Sequence, residues 1–246
     1  MKQNYKLELM YDGSPFSGWQ RQPNAVTVCG EIEKAIKIIT KEDVELCGVS
    51  RTDSGVHAKD YVANFFSESD IEPQKLICGI NALVPDEIRI KNVEVTSADF
   101  NARFDVKSKT YVYTVDNTPY GNPFLKRYAW HFKFPLDMEE MKKAASCYIG
   151  EYDFSAFMAQ GGTAKTFVRT IYDAKVEKTE EGLIKFSVKG NGFLYNMVRI
   201  MAGTLVWVGK GAIKAKDIPS IIESKDRKRA GTTAPAHGLT LYKLDY

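Results

Sequence analysis

The chain lacks any apolar run approaching the roughly 20 residues that a membrane span requires. It has only four cysteines in 246 residues. Cys29, Cys47, Cys78 and Cys147 are widely spaced and form no C-x-x-C pair, so small buried thiols are expected rather than a disulfide frame or zinc site. Histidine is scarcer still. His57, His131 and His237 lie far apart and offer no helical ligand pair, which argues against a metal enzyme. Neither a phosphate-binding glycine loop nor a dinucleotide fingerprint is present. The first residues run straight into an alternating strand pattern without a signal-peptide core, so the cytoplasm is the expected location. Charge of one sign is also lacking: 34 Lys and Arg against 31 Asp and Glu leave +3. Clustering matters more than that sum for a polyanionic partner. Basic groups stand at Arg103, Lys107 and Lys109, at Lys126 and Arg127, and from Lys225 to Arg229. Each taken alone reads as solvated surface.

Aromatic side chains, by contrast, are plentiful, with 13 Tyr and 13 Phe. Periodicity then gives an order of elements. Tyr5, Leu7, Leu9 and Tyr11 alternate in a strand, and Val28, Ile32, Ala35, Ile36 and Ile39 form one helical stripe over Thr27 to Ile39. Strands follow at Val44–Val49 and Tyr61–Phe66. Pro73 opens a helix carrying Leu76, Ile77, Ile80, Leu83 and Val84, and a strand runs from Ile88 to Val95. The order is β-α-β-β-α-β. The second half repeats it: a strand at Tyr111–Val115, a helix at Asp137–Tyr148, and a hairpin of Thr166–Lys178 with Leu183–Lys189. A helix at Phe193–Val208, a short helix at Lys216–Ser224 and a last strand through Leu239, Leu241 and Leu244 complete it. The expected fold is α+β, two ferredoxin-like (βαββαβ, RRM-like) halves at 1–104 and 105–246, with antiparallel sheets joined across the middle. That topology is shared with a common single-strand RNA-binding module, in which aromatics on the sheet stack bases.

The most informative stretch is Gly48 to Ala58. Asp53 lies two residues after Arg51, on a turn between two apolar runs. An Asp-Ser-Gly triplet suits a turn for its own sake, and that bland reading stands first on physics alone. A nearby guanidinium, however, keeps a carboxylate ionised and oriented, which suits a nucleophile.

Taken together, seven strings resemble the TruA family of tRNA pseudouridine synthases in order. They are Tyr11–Asn24, Arg51-Thr52-Asp53-Ser54-Gly55-Val56-His57-Ala58, Asn81–Pro85, Phe100–Phe104, Asp153–Phe157, Gly190–Arg199 and Ala234–Leu239. The resemblance implies isomerisation of uridine to pseudouridine at positions 38, 39 and 40 of the tRNA anticodon stem-loop. By it, Asp53 matches the catalytic aspartate, Tyr111 the tyrosine packed on the target base, and Arg199 the arginine paired with the aspartate. Arg51 and Arg103 match positions that hold the flipped nucleotide and the RNA backbone. It further implies a homodimer without a cofactor and a catalytic cleft between the halves; the lack of a long apolar run and of a metal-ligand pattern adds the expectation of no membrane association and no metal. The chain departs from the pattern at Asn101 (usually histidine), Lys109 (commonly arginine), Cys29 (usually glutamine) and Ser54 (often alanine).

Three other readings compete with this one, of which a structural β-rich interaction protein explains the tyrosines but not the ordered strings. A catalytically silent RNA-binding module would share the fold and not need Asp53 or Arg199. A glycoside hydrolase needs a second carboxylate flanking the bond, and only Asp60, expected to be solvated, is near in sequence.

Overall fold

The computed structural model describes residues 2–246, which divide into two compact units. One comprises the chain up to Lys107 together with Leu241–Tyr246, the other Ser108–Thr240. Ten strands and five α-helices are present among the described residues, a mixed α+β protein.

The first unit runs β1 (Gln3–Tyr11), α1 (Val28–Thr40), β2 (Cys47–Gly48), β3 (His57–Ser67), α2 (Pro73–Leu83) and β4 (Ile88–Thr96). β1 pairs antiparallel with both β3 and β4, and β2 pairs antiparallel with β3. The later strand β10 (Leu239–Asp245) lies beside β3. Tyr5, Leu7, Leu9 and Tyr11 are all buried along β1, as their alternation requires. Val28, Ile32, Ala35 and Ile36 of α1 and Leu76 and Ile80 of α2 are buried with them, each contributing roughly 1.5–3 kcal/mol where a large side chain is fully enclosed. Thr27 caps α1 by accepting from the Gly30 amide at 3.3 Å.

β2 is shorter than the expected Val44–Val49, because the Leu46 amide donates to Glu33 Oε1 of α1 at 3.0 Å instead of to a neighbouring strand. β3 is longer than expected, beginning directly after the Asp53 turn. Leu83, placed in the apolar stripe of α2, is exposed. The thiols differ from expectation too. All four are free, but only Cys29 is buried, and Cys78 is exposed. Asp60 is a structural residue and only half exposed. Its Oδ2 accepts from the Leu244 amide at 2.9 Å, and Oδ1 lies 3.5 Å from Lys91 Nζ.

The second unit contains β5 (Ser108–Asp116), β6 (Trp130–His131), α3 (Met138–Ser146), β7 (Gly150–Asp153), β8 (Val168–Lys178), β9 (Leu183–Gly190), α4 (Met197–Gly209) and α5 (Ile218–Ser224). Its sheet runs β5-β9-β8-β7 with antiparallel pairings, while β6 pairs parallel to β5. β6 and β7, at two and four residues, are too short to give a period-two signal, which is why the sequence pattern passes over them. The expected hairpin is present, turning through Gly182 at φ 83°. α4 begins four residues later than its apolar pattern, because Asn196 adopts a left-handed φ of 59° that cannot continue a helix.

Candidate active site

In the first unit, Asp53 sits at the head of a turn closed by the Val56 amide donating to the Asp53 carbonyl at 3.1 Å. Gly55 takes φ 78°, the left-handed conformation that the turn demands. Asp53 is half-buried, Ser54 and Arg51 are exposed, and Thr52, Val56 and His57 are buried. The backbone of this loop is held along most of its length. Phe16 O accepts from the Gly55 amide at 3.3 Å and from Ser54 Oγ at 3.2 Å, and the Trp19 amide donates to Thr52 O at 3.2 Å. Thr52 Oγ1 and the Tyr11 hydroxyl share a 2.8 Å hydrogen bond. The Tyr61 hydroxyl donates to the Ser50 carbonyl.

Two glycines make this close approach possible. A Cβ on Gly13 would overlap the Val56 carbonyl, and one on Gly18, itself at φ 88°, would lie 2.6 Å from Thr52 O. The strings Tyr11–Asn24 and Arg51–Ala58 are therefore one structural object, the first segment forming the seat of the second. His57 locks the far end of the loop. Its Nδ1 lies 3.1 Å from the Gly13 amide and 3.0 Å from Asp12 Oδ1.

Arg103 stands on a separate loop of the same unit. It is exposed, and its guanidinium lies over the Phe104 ring at 5.6 Å. Asn101, which departs from the family's usual histidine, shapes that loop. Its Oδ1 accepts from the amides of Arg103 at 3.0 Å and Phe104 at 3.3 Å, and from Cys47 Sγ at 3.4 Å. Such a side-chain turn is ordinary asparagine chemistry. Beneath it the buried amides of Asn4 and Asn64 pair at 3.0 Å, Asn4 Nδ2 reaches Ser97 O and Phe100 O, and Asn64 Oδ1 accepts from the Ala102 amide at 2.9 Å.

In the second unit, Tyr111 and Tyr113 lie on β5 at alternate positions, hence on one face, and both are buried. Tyr111 meets the Phe193 ring edge-on at 5.2 Å. The Tyr113 hydroxyl donates to Pro235 O at 2.8 Å, and burial pushes its phenol well above the usual value, with the nearby Arg199 charge opposing. Arg199 is half-buried in the first turn of α4. Its Nε donates to Ala234 O at 2.8 Å and its Nη1 to Asn196 Oδ1 at 2.7 Å, while Arg199 O accepts from the Ala234 amide at 3.1 Å. The string Ala234–Leu239 thus holds Tyr113 and Arg199 by two consecutive carbonyls. Its close crossing of α4 needs Gly203, where a Cβ would overlap the Thr232 carbonyl. A cation at a helix N-terminus opposes the macrodipole, a local cost that commonly marks a functional position.

The second unit thus gathers Tyr111, Tyr113 and Arg199 around one strand and one helix start. The first places Arg51 and Asp53 on one loop and Arg103 on another. Sequence reasoning did not assign roles to Tyr61, Asn196 or the Pro235 carbonyl. Only Asn196 carried a signal, as an asparagine interrupting an apolar helical pattern. Among the described residues no group of three His, Cys, Asp or Glu side chains is arranged to hold a metal ion, and no helix is long and apolar enough to cross a membrane.

Comparison with known proteins gives a consistent result. A family model described as tRNA pseudouridine synthase matches residues 9–105 and 144–246. Those blocks contain Arg51, Asp53, Arg103 and Arg199, while Tyr111 falls between them. The chain is 49% identical over 243 residues to the tRNA pseudouridine synthase A of Acetivibrio thermocellus, covering 99% of each chain. It is 46% identical over 243 residues to that of Thermoanaerobacter sp. and 47% identical to the tRNA pseudouridine synthase A 2 of Clostridium perfringens, again with 99% of each chain covered. The chain therefore belongs to the TruA family of tRNA pseudouridine synthases, which are isomerases.

Proposed function

We propose that this protein converts uridines 38, 39 and 40 of the tRNA anticodon stem-loop to pseudouridine, using Asp53 as the nucleophile and no cofactor. In the reaction the N1–C1′ bond breaks, a C5–C1′ bond forms, the C5 proton leaves and N1 gains one. Reactant and product are isomers, so no oxidant or reductant is consumed. A stacked base is out of reach, and extruding it costs a few kcal/mol. Stacking on Tyr111 offsets part of that cost, and contacts of Arg51 and Arg103 with phosphates offset more. The Asp53 carboxylate attacks C1′ or assists departure of the base through an oxocarbenium-like state. Arg199 stabilises negative charge on the uracil as it leaves. On this reading the enzyme is a cytoplasmic homodimer.

One observation supports the assignment of Asp53 above all: the half-exposed carboxylate stands on a loop fixed by at least five hydrogen bonds to Phe16, Trp19, Tyr11 and Tyr61. A loop held this firmly presents its carboxylate in one direction, which is what a nucleophile needs. The test is tritium release from tRNA transcript labelled at uracil C5, with Asp53→Asn alongside. Release by the parent protein and none by Asp53→Asn, which still binds the transcript, is the expected result. Release by Asp53→Asn at a comparable rate removes Asp53 from the chemistry.

A further inference from the structure

Three non-glycine residues among those described have positive φ: Lys41, Asn196 and Lys225. Lys41 and Lys225 terminate α1 and α5, where a left-handed residue is the ordinary way out of a helix. Asn196 is different, because it begins a helix. An N-cap residue normally has extended backbone, and an asparagine there normally turns its oxygen onto the amides of the first turn. Asn196 does neither. At φ 59° and ψ 8° it makes no side-chain cap, and Oδ1 accepts from Arg199 Nη1 at 2.7 Å. A favourable cap and a relaxed backbone are both given up, and the group that gains is the guanidinium of Arg199. Backbone strain of this kind persists where surrounding structure enforces it, and it collects at functional sites.

The surroundings do enforce it. Arg199 Nε is held by Ala234 O, and the Ala234 amide binds Arg199 O in return. The Ile200 amide still closes the first helical turn onto Asn196 O at 3.0 Å. One edge of the guanidinium is therefore fixed from the chain passing over α4, and Nη1 is fixed from the residue that starts α4. The planar fork of arginine turns two such bonds into a defined plane, which a lysine ammonium would not provide.

We infer that Asn196 is a positioning residue for the reaction: it sets the plane of the Arg199 guanidinium, and its left-handed conformation is what brings Oδ1 to Nη1. This rests on the role proposed for Arg199. On this inference Asn196 acts through Arg199 and not on the RNA, so its loss lowers kcat and leaves tRNA affinity nearly unchanged.

The experiment compares Asn196→Gly, Asn196→Asp and Arg199→Met by steady-state kinetics on tRNA transcript, with a thermal melt of each. Glycine accepts the left-handed backbone while removing the whole side chain, Oδ1 with it. Asn196→Gly is expected to lose about 10- to 100-fold in kcat, the range of one hydrogen bond to a charged group, with KM within about two-fold and the melt preserved. Asn196→Asp keeps an acceptor of the same reach and recovers most of kcat. In the Arg199→Met background, Asn196→Gly costs nothing further. Full kcat in Asn196→Gly beside an inactive Arg199→Met overturns this inference alone, since the asparagine is then present for its backbone. Full kcat in Arg199→Met overturns the role of Arg199 and this inference with it. Additive losses in the double variant place Asn196 on another path and likewise overturn the inference.

Discussion

Trp19 and Tyr61 stack with ring centroids 4.1 Å apart, and the hydroxyl of Tyr61 reaches past Trp19 to the carbonyl of Ser50, the residue immediately before the Arg-Thr-Asp run. Tyr11 closes the cluster, 5.5 Å from Tyr61 and 6.2 Å from Trp19, and its hydroxyl binds Thr52. The loop bearing Asp53 is thus fastened by two phenols rooted in the core of the first unit. Gly48 leaves the room for this, since a Cβ there would lie 2.5 Å from Trp19 Nε1.

Removing one phenol separates stability from activity. Tyr61→Phe keeps the stack on Trp19 and loses the hydroxyl that donates to Ser50. It is expected to cost about 1 kcal/mol of stability, the usual net worth of one hydrogen bond. In a chain of this size that lowers the melting temperature by about 2–4 °C. Turnover of tRNA is expected to fall by about ten-fold or more, because the loop that aims Asp53 loosens. Parallel melts and single-turnover assays check this, and wild-type turnover with a lowered melt would reduce the hydroxyl to a packing role.

Much of this arrangement was legible in the sequence, and the illegible part has a physical cause. The alternation of Tyr5, Leu7, Leu9 and Tyr11, the apolar stripe of α1 and the proline opening α2 all act locally, so they read directly. The Asp53 turn could be read for the same reason. That Tyr11–Asn24 forms its seat could not, because the contact joins residues some forty positions apart and depends on the missing side chains of Gly13 and Gly18. The role of Asn101 was open for a similar reason: its amide folds back onto its own loop, a choice that chain spacing does not disclose. α4 began later than its apolar pattern because one asparagine left the helical region of backbone space.

The close approach at Gly18 can be tested against a control within the same chain. Gly18 and Gly211 have nearly the same positive φ, 88° and 81°, but a Cβ on Gly18 meets Thr52 O at 2.6 Å while one on Gly211 meets nothing within 4 Å. Gly211→Ala therefore reports the backbone cost alone, on the order of 1 kcal/mol. Gly18→Ala adds a clash with backbone that cannot rotate away, and about 2–4 kcal/mol in total is expected. Chemical denaturation gives both values. Equal losses in the two variants would mean that the 50–56 loop yields easily, contrary to its hydrogen bonding.

Acid is expected to weaken the second unit at Asp116. Burial by itself would raise its carboxyl, but hydrogen bonds from Thr118 and the Asn122 amide outweigh that and hold it below the usual carboxylate value. A depressed folded value means that the ionised form stabilises the fold. That contribution is complete above the unfolded value of 3.8 and is lost as pH falls through the lower folded one. Melting temperatures of the parent protein and Asp116→Asn are therefore expected to differ by a constant amount between about pH 5 and 8. The gap narrows below about pH 4. A gap that widens on acidification would show that the hydrogen bonds favour the protonated acid.

The stretch between Asp116 and Asp137 contains no acidic residue, and it displays Tyr120 and Phe124 almost wholly to solvent, 95% and 89% exposed. These rings do not hang from a slack loop. Asp116 accepts from the Asn122 amide at 2.7 Å, Asn122 Oδ1 from the Phe124 amide at 3.0 Å, and His131 Nε2 lies 3.0 Å from Thr118 O. Exposed Lys126 stands two residues after Phe124, so a cation and two rings are offered together to a polyanion with bases. If the stretch contacts tRNA, Lys126→Ala raises KM and lowers the slope of log affinity against log salt by about 0.7 to 0.9, one phosphate contact. The kcat is expected to stay within about two-fold of the parent, because the chemistry is assigned to Asp53. Filter binding across a salt series measures the slope directly. An unchanged slope would make Lys126 a solvated surface residue and leave the two rings without an electrostatic partner for RNA.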